Sequence, residues 1–228
     1  MGKFLLLLPV AALAGCHGSI NSDIEVGRGE EWSSGARSIN GSIVVGDDAG
    51  VGGGLYSING RIEVGENANV ATIRTINGSV IVGNGSRTGT INTVNGDVRF
   101  GAEVVVDGDV ELVNGGVECE RGCRVFGDVG SVNGQIQLAD ADIGGDVIIY
   151  NGRIAIDDST VAGSVQVKKP NGSFDNRRLP RVVIGPNTRV RGEMRFERPV
   201  ELFLHETAET GAITGADPVT FSGDRPDT

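Results

Sequence analysis

Eight Asn-Gly pairs, beginning at Asn40, Asn59, Asn77, Asn95, Asn114, Asn133, Asn151 and Asn171, recur along the chain at steps of 18 to 20 residues. An imperfect copy, Asn21-Ser22, stands 19 residues before the first. A short, constant period is the signature of a repeat architecture, in which one unit cannot bury its own apolar face and must stack on the next. The pattern therefore constrains the fold before any single residue is considered.

Counted from each Asn, apolar residues fall into columns. Position −4 holds Leu55, Ile73, Ile91, Val110, Val129, Val147 and Val167, and position −1 holds Ile20, Ile39, Ile58, Ile76, Val94, Val113, Val132 and Tyr150. Position +3 runs from Ile24 and Ile43 through Val98 and Ile136 to Ile154; position +5 runs from Val26 through Phe100, Cys119 and Leu138 to Ile156. A fifth column, ten or eleven residues after the Asn, holds Val51, Val70, Val105, Val125, Ile143 and Val161. The +3/+5 spacing is the period of two of a strand with one buried face. The residues are mostly β-branched, which favours a pleated surface over a helix. All five columns are expected to join into one continuous core.

The fold class that follows is all-β: a right-handed parallel β-helix with about 18–19 residues per three-sided coil. Asn-Gly marks one corner, where both residues tolerate positive φ and stacked Asn side chains can bond along a ladder. A β-hairpin is the competing reading of Asn-Gly. It predicts antiparallel arms, whereas this pattern repeats in one direction. A left-handed hexapeptide helix needs an apolar residue every six positions, which these columns do not keep.

The N-terminus carries a second signal. Met1-Gly2-Lys3 is a short basic start, Phe4 to Ala12 is apolar, and Leu13-Ala14-Gly15-Cys16 follows. The run is too short to span a bilayer and reads as a secretory signal. Its last four residues resemble the bacterial lipoprotein signal. That resemblance implies cleavage before Cys16, lipid on Cys16 as the membrane anchor and, with His17 rather than Asp next, the outer membrane of a Gram-negative host. The organisation expected is a signal peptide over 1–15, an anchored segment and irregular first coil over 16–35, and a regular solenoid over 36–174. Beyond these come an insert with modified terminal coils over 175–204, then a C-terminal cap or disordered tail over 205–228.

The net charge of −10 argues against a nucleic-acid partner. Basic residues nevertheless gather after Val167. Lys168, Lys169, Arg177, Arg178 and Arg181 are a candidate anion-binding patch for acidic glycan or glycolipid, set against the plainer reading of a solvated face. Cys119 and Cys123 are a candidate disulfide in an exported protein, or Cys119 is simply a small core residue facing away from Cys123. Asp109, Asp128 and Asp146 fall at position −5 on successive coils. They read as Gly-Asp turns capping local amides, or less simply as a divalent-cation site. Two histidines, His17 and His205, leave little for a nucleophilic triad or a zinc centre. No catalytic residue and no cofactor is expected.

The unit Ser-Ile-Asn-Gly-x-Ile-x-Val-Gly at 38–46 and 57–65 resembles the bacterial adhesin β-solenoid domains. The Val-x-Gly-Asp-Val unit at 106–110 and 125–129 is similar to bactofilins, which are polymer-forming cytoskeletal proteins. Both resemblances imply a right-handed β-helix without enzymatic activity. The expected function is a lipid-anchored envelope module that is structural, adhesin-like or binding. Its partners would be the membrane, an envelope glycan, another protein or a second copy. A bactofilin-like scaffold and a polysaccharide-active β-helix enzyme are the alternatives.

Overall fold

A computed structural model describes residues 17–170, 179–223 and 225–226. Among them there is no helix, and every strand pairing is parallel. Parallel pairing excludes the hairpin reading. One coil shows the plan: a strand over Ile73–Asn77 forms the first face, Val80–Val82 the second and Arg87–Thr88 the third. Each strand pairs with its counterpart one repeat away, so Ile73 lies between Leu55 and Ile91, and Val80 between Ile62 and Val98. The third face is a separate ten-stranded sheet. About ten turns stacked at about 4.8 Å make a parallel β-solenoid some 50 Å long.

The −4, +3 and +5 columns point inward and are fully buried, as at Ile73, Val80 and Val82. Each large aliphatic side chain so buried contributes roughly 1.5–3 kcal/mol. The −1 column does not join them. Period-two alternation that puts −4 inside also puts −2 inside and −1 outside. Ile20, Ile39, Ile58, Ile76, Val94 and Val113 are accordingly 38–64 % exposed. Ser38, Ser57, Thr75, Thr93 and Ser131 at −2 are each 3 % exposed. A second correction concerns the third face: Val106, not Val105, is the inward residue, because Val106 registers with Val125 and with Thr88.

The buried hydroxyls brace the Asn-Gly corner. Ser38 Oγ accepts from Gly41 N at 2.9 Å, and Ser131 Oγ donates to the Gly115 carbonyl of the preceding coil at 3.0 Å. Asn side chains form the expected ladder. From Asn40 to Asn151 each Nδ2 donates to the Oδ1 of the Asn one coil before, back to Asn21, at 2.8–3.0 Å. Asn171 lies outside the described residues. At the far end, the buried Arg198 donates to Asn151 Oδ1 and to the Tyr150 carbonyl.

At this corner Gly96 (φ 158°), Gly115 (φ 154°) and Gly152 (φ 124°) take positive φ, and close approach between coils requires glycine as well. A Cβ on Gly60, Gly78 or Gly134 would collide with the carbonyl oxygen of the corner glycine one coil before. The next corner carries residues near the αL minimum: Asp48 (φ 59°), Asn67 (φ 53°), Gly85 (φ 66°), Glu103 (φ 59°) and Asp140 (φ 50°). The same corner carries the Cys119–Cys123 disulfide, both cysteines buried, with Cα atoms 6.1 Å apart.

The repeat slips after Val161. Val167 registers with Ile149 rather than with Val147, and Val165 takes the −4 place. The chain rejoins the second face at Arg181–Ile184, paired with Arg153 to Ile156. The segment after 204 continues the solenoid as far as Phe221. Glu209–Thr210, Ile213–Thr214 and Val219–Phe221 add strands to all three faces. At the other end Trp32 occupies the inward column beside Val51, and His17 stacks on it with ring centroids 3.9 Å apart.

Candidate functional site

Three of the four residues in each Ser-Ile-Asn-Gly unit are accounted for by the coil. Serine braces the corner, asparagine forms the ladder, and glycine admits the neighbouring carbonyl. The isoleucine is not needed for any of these. It projects from the first face beside the outward −3 column, which in coil order reads Gly18, Arg37, Tyr56, Arg74, Asn92, Glu111, Gly130 and Ile148. The −1 and −3 ridges bound a shallow groove of about 1020 Å³ along the solenoid axis, floored by the small −2 residues. Its apolar rail runs over eight coils, about 34 Å. Contiguous exposed apolar surface of this kind is uncommon on folded proteins away from interaction sites.

Charge on this face is sparse and differently arranged from the rest of the molecule. On the third face and its corners, Arg87 pairs with Asp107, Arg124 with Asp142 at 3.6 Å and Arg189 with Glu209 at 2.7 Å. The hydrogen bond from Arg189 lowers the Glu209 pKa and raises that of Arg189. In the groove, Arg37 and Arg74 instead flank Tyr56, their guanidinium carbons 4.9 and 6.0 Å from its ring centroid. Glu111, two coils beyond Arg74, makes no ion pair among the described residues.

The aspartate column is a set of caps between coils. Asp109 Oδ1 accepts from Asp128 N at 2.9 Å, Asp128 Oδ1 from Asp146 N at 2.7 Å, and Asp146 Oδ1 from Ser164 N at 2.7 Å. Each carboxylate is thereby tied to a backbone donor one coil on, the turn reading extended to the stack. Among the described residues no group of three or more His, Cys, Asp or Glu side chains is placed to hold a metal ion.

Three of the five basic candidates, Lys168, Lys169 and Arg181, are among the described residues. Lys168 closes the C-terminal end of the groove, whereas Arg181 begins a second-face strand with its guanidinium carbon 4.5 Å from the Phe203 ring centroid. Lys169 N donates to Glu197 Oε2 at 3.1 Å. Arg177 and Arg178 lie outside the described residues, as does Cys16. His205 is buried, with Nδ1 2.8 Å from Thr207 Oγ1 and its ring edge-on to Phe221.

The fold and this face together define a parallel β-solenoid with one apolar, ion-pair-poor side. Compared with protein-family models, with curated proteins and with solved structures, the chain finds no match in any of the three.

Proposed function

We propose that the chain is a non-catalytic, lipid-anchored module of the bacterial cell envelope that binds or scaffolds through the first face of its solenoid. The observation that carries this reading is the rail of Ile and Val on consecutive coils, which the fold itself does not require. The anchor is Cys16, in a segment that resembles a lipoprotein signal. Its neighbour His17 opens the first strand, so lipid there would set the first coil at the membrane and leave the groove running away from it. The adhesin-like and envelope-binding expectations agree with such a surface. Growth by end-to-end stacking, the bactofilin-like alternative, would use the terminal coils instead, and His17 stacked on Trp32 blunts the first of these.

Fractionation of cells expressing the full chain tests both halves. Wild type should sediment with outer membrane, and Cys16→Ser should move it to the soluble fraction. Retention of Cys16→Ser on detergent-stripped envelope should fall severalfold when Val94→Asp is added. Sedimentation unaffected by Cys16→Ser would sink the anchor, and retention unaffected by Val94→Asp would sink the working face.

A further inference from the structure

Resting on that reading, we infer that the first face takes a second copy of this chain, packed face to face with its solenoid axis reversed about a two-fold at Asn92. A two-fold across the solenoid brings each outward column onto itself in inverted coil order, so the contact must be self-complementary. Centred on Asn92, the −3 column meets these terms over its middle coils, while Arg37 at the edge faces Ile148 of the second copy and stays unpaired. Arg74 faces Glu111 of the second copy, and Glu111 faces its Arg74. Tyr56, the largest residue of the column, faces Gly130, one of the smallest. In the −1 column Val94 meets itself, Ile76 meets Val113, Ile58 meets Val132, and Ile39 meets Tyr150, every pair apolar. Moving the axis one coil either way sets Arg74 against Arg74 or Glu111 against Glu111.

Other features of the chain agree. Glu111 is the one exposed acid of the groove's −3 column, and it lacks the ion pairing found on the other faces. Asn92, whose Nδ2 is buried in the monomer and has no hydrogen-bond partner among the described residues, places a half-buried amide on the axis of the contact. A single such Asn fixes register in other self-associating interfaces. A parallel arrangement, with the two-fold along the solenoid, would lay the −3 column on the −1 column. It would then press Arg37 and Arg74 against Ile39 and Ile76, leaving both guanidiniums unpaired. The strip in contact, about 30 Å by 10 Å, amounts to roughly 600 Å² over the two copies, below standard specific interfaces and in the range of weak, transient contacts, so a dissociation constant no tighter than the order of micromolar is expected.

The test is crosslinking of the full chain through introduced cysteines. Facing sheets lie about 10 Å apart, a span suited to a short bis-maleimide rather than to a disulfide. Asn92→Cys should give a dimer band above the wild-type background, and Asn69→Cys on the third face should not. Arg74→Glu or Glu111→Arg added to Asn92→Cys should lower the dimer yield at least tenfold, and the two together should restore it. Restoration by the double reversal would not occur if the occupant were an anionic lipid, a glycan or an unrelated protein. Equal crosslinking at Asn92→Cys and Asn69→Cys, or no dimer at tenfold above micromolar concentration, would overturn the pairing. If the dimer fails while Val94→Asp still lowers envelope retention, the working-face reading stands and only the second copy is wrong. If both fail, both are wrong.

Discussion

The first and third faces are built from the same alternation and differ in what they turn outward. On the third face, aliphatic residues such as Val70, Val106 and Val125 point in, and Asn69, Arg87, Arg124 and Asp142 point out, several of them in ion pairs. On the first face, serines and threonines at −2 are buried and isoleucines at −1 are exposed. The inversion shows that hydropathy does not choose the side at every position of a solenoid. The −4 column and the Asn-Gly corner fix the phase of the strand, and the residues between take whichever side the pleat assigns. Ser38 and Ser131 suit the inside because the corner offers their hydroxyls backbone partners. The exposed isoleucines have no comparable structural reason, which is why the function is sought there.

The sharpest way to break this comparison is to place one charge on either side of the same strand. Ile91→Asp buries an unpaired carboxylate and should cost more than about 4 kcal/mol, abolishing the cooperative thermal transition. Val94→Asp, three residues on, should leave the melting of the monomer within about 0.5 kcal/mol of wild type. Comparable losses for both would return the −1 column to the core.

Gly134→Ala probes the corner that sets the phase. Its methyl group would meet the Gly115 carbonyl, so a loss of about 2–3 kcal/mol is expected by denaturant titration. Thr88→Val tests the third-face core in the opposite direction. Thr88 Oγ1 is buried without a partner between Val70 and Val106, so replacing it should raise stability by about 1 kcal/mol.

The smallest effect is expected at Asp157. Burial first, and then the Asp158 charge, push its pKa above the ordinary aspartate range, partly offset by Arg225. The folded state therefore holds the proton more tightly than the unfolded one, and stability falls as pH rises from the ordinary aspartate pKa through the raised one. Asp157→Asn should be the more stable protein at neutral pH and should lose that advantage in acid; an advantage independent of pH would point to a different cause.

Much of the fold is legible in the sequence because it rests on columns repeated many times. The Asn ladder, the parallel stacking and the inward −4, +3 and +5 residues all follow from spacing. The side taken by Ile39 and its equivalents is harder to read, since an apolar column beside a polar one suggests core. Parity with Leu55 and Ile73 decides otherwise, and only after −2 is recognised as inward. Val105 and Val106 are adjacent valines, and coils alternating between 18 and 19 residues allow a slip of one. The left-handed corner is masked by variety, as Asp48, Asn67, Gly85, Glu103 and Asp140 share a conformation but not a residue type. A further pair, Asn84-Gly85, sits there out of phase with the ladder and marks it. The groove's polar members, Arg37, Tyr56, Arg74, Asn92 and Glu111, carry no motif. Only their common outward register connects them.

Hydroxyl-radical footprinting at two protein concentrations, one below and one above the micromolar range, addresses the first face most directly. At low concentration Ile39, Ile58 and Ile76 should be modified, whereas Leu55 and Ile73 on the same strands should not be. At high concentration the three exposed isoleucines should become protected while Arg87 and Arg124 on the third face remain accessible. Ile76 as inert as Ile73 at low concentration would contradict the outward rail, and Ile76 equally reactive at both would contradict the pairing of copies.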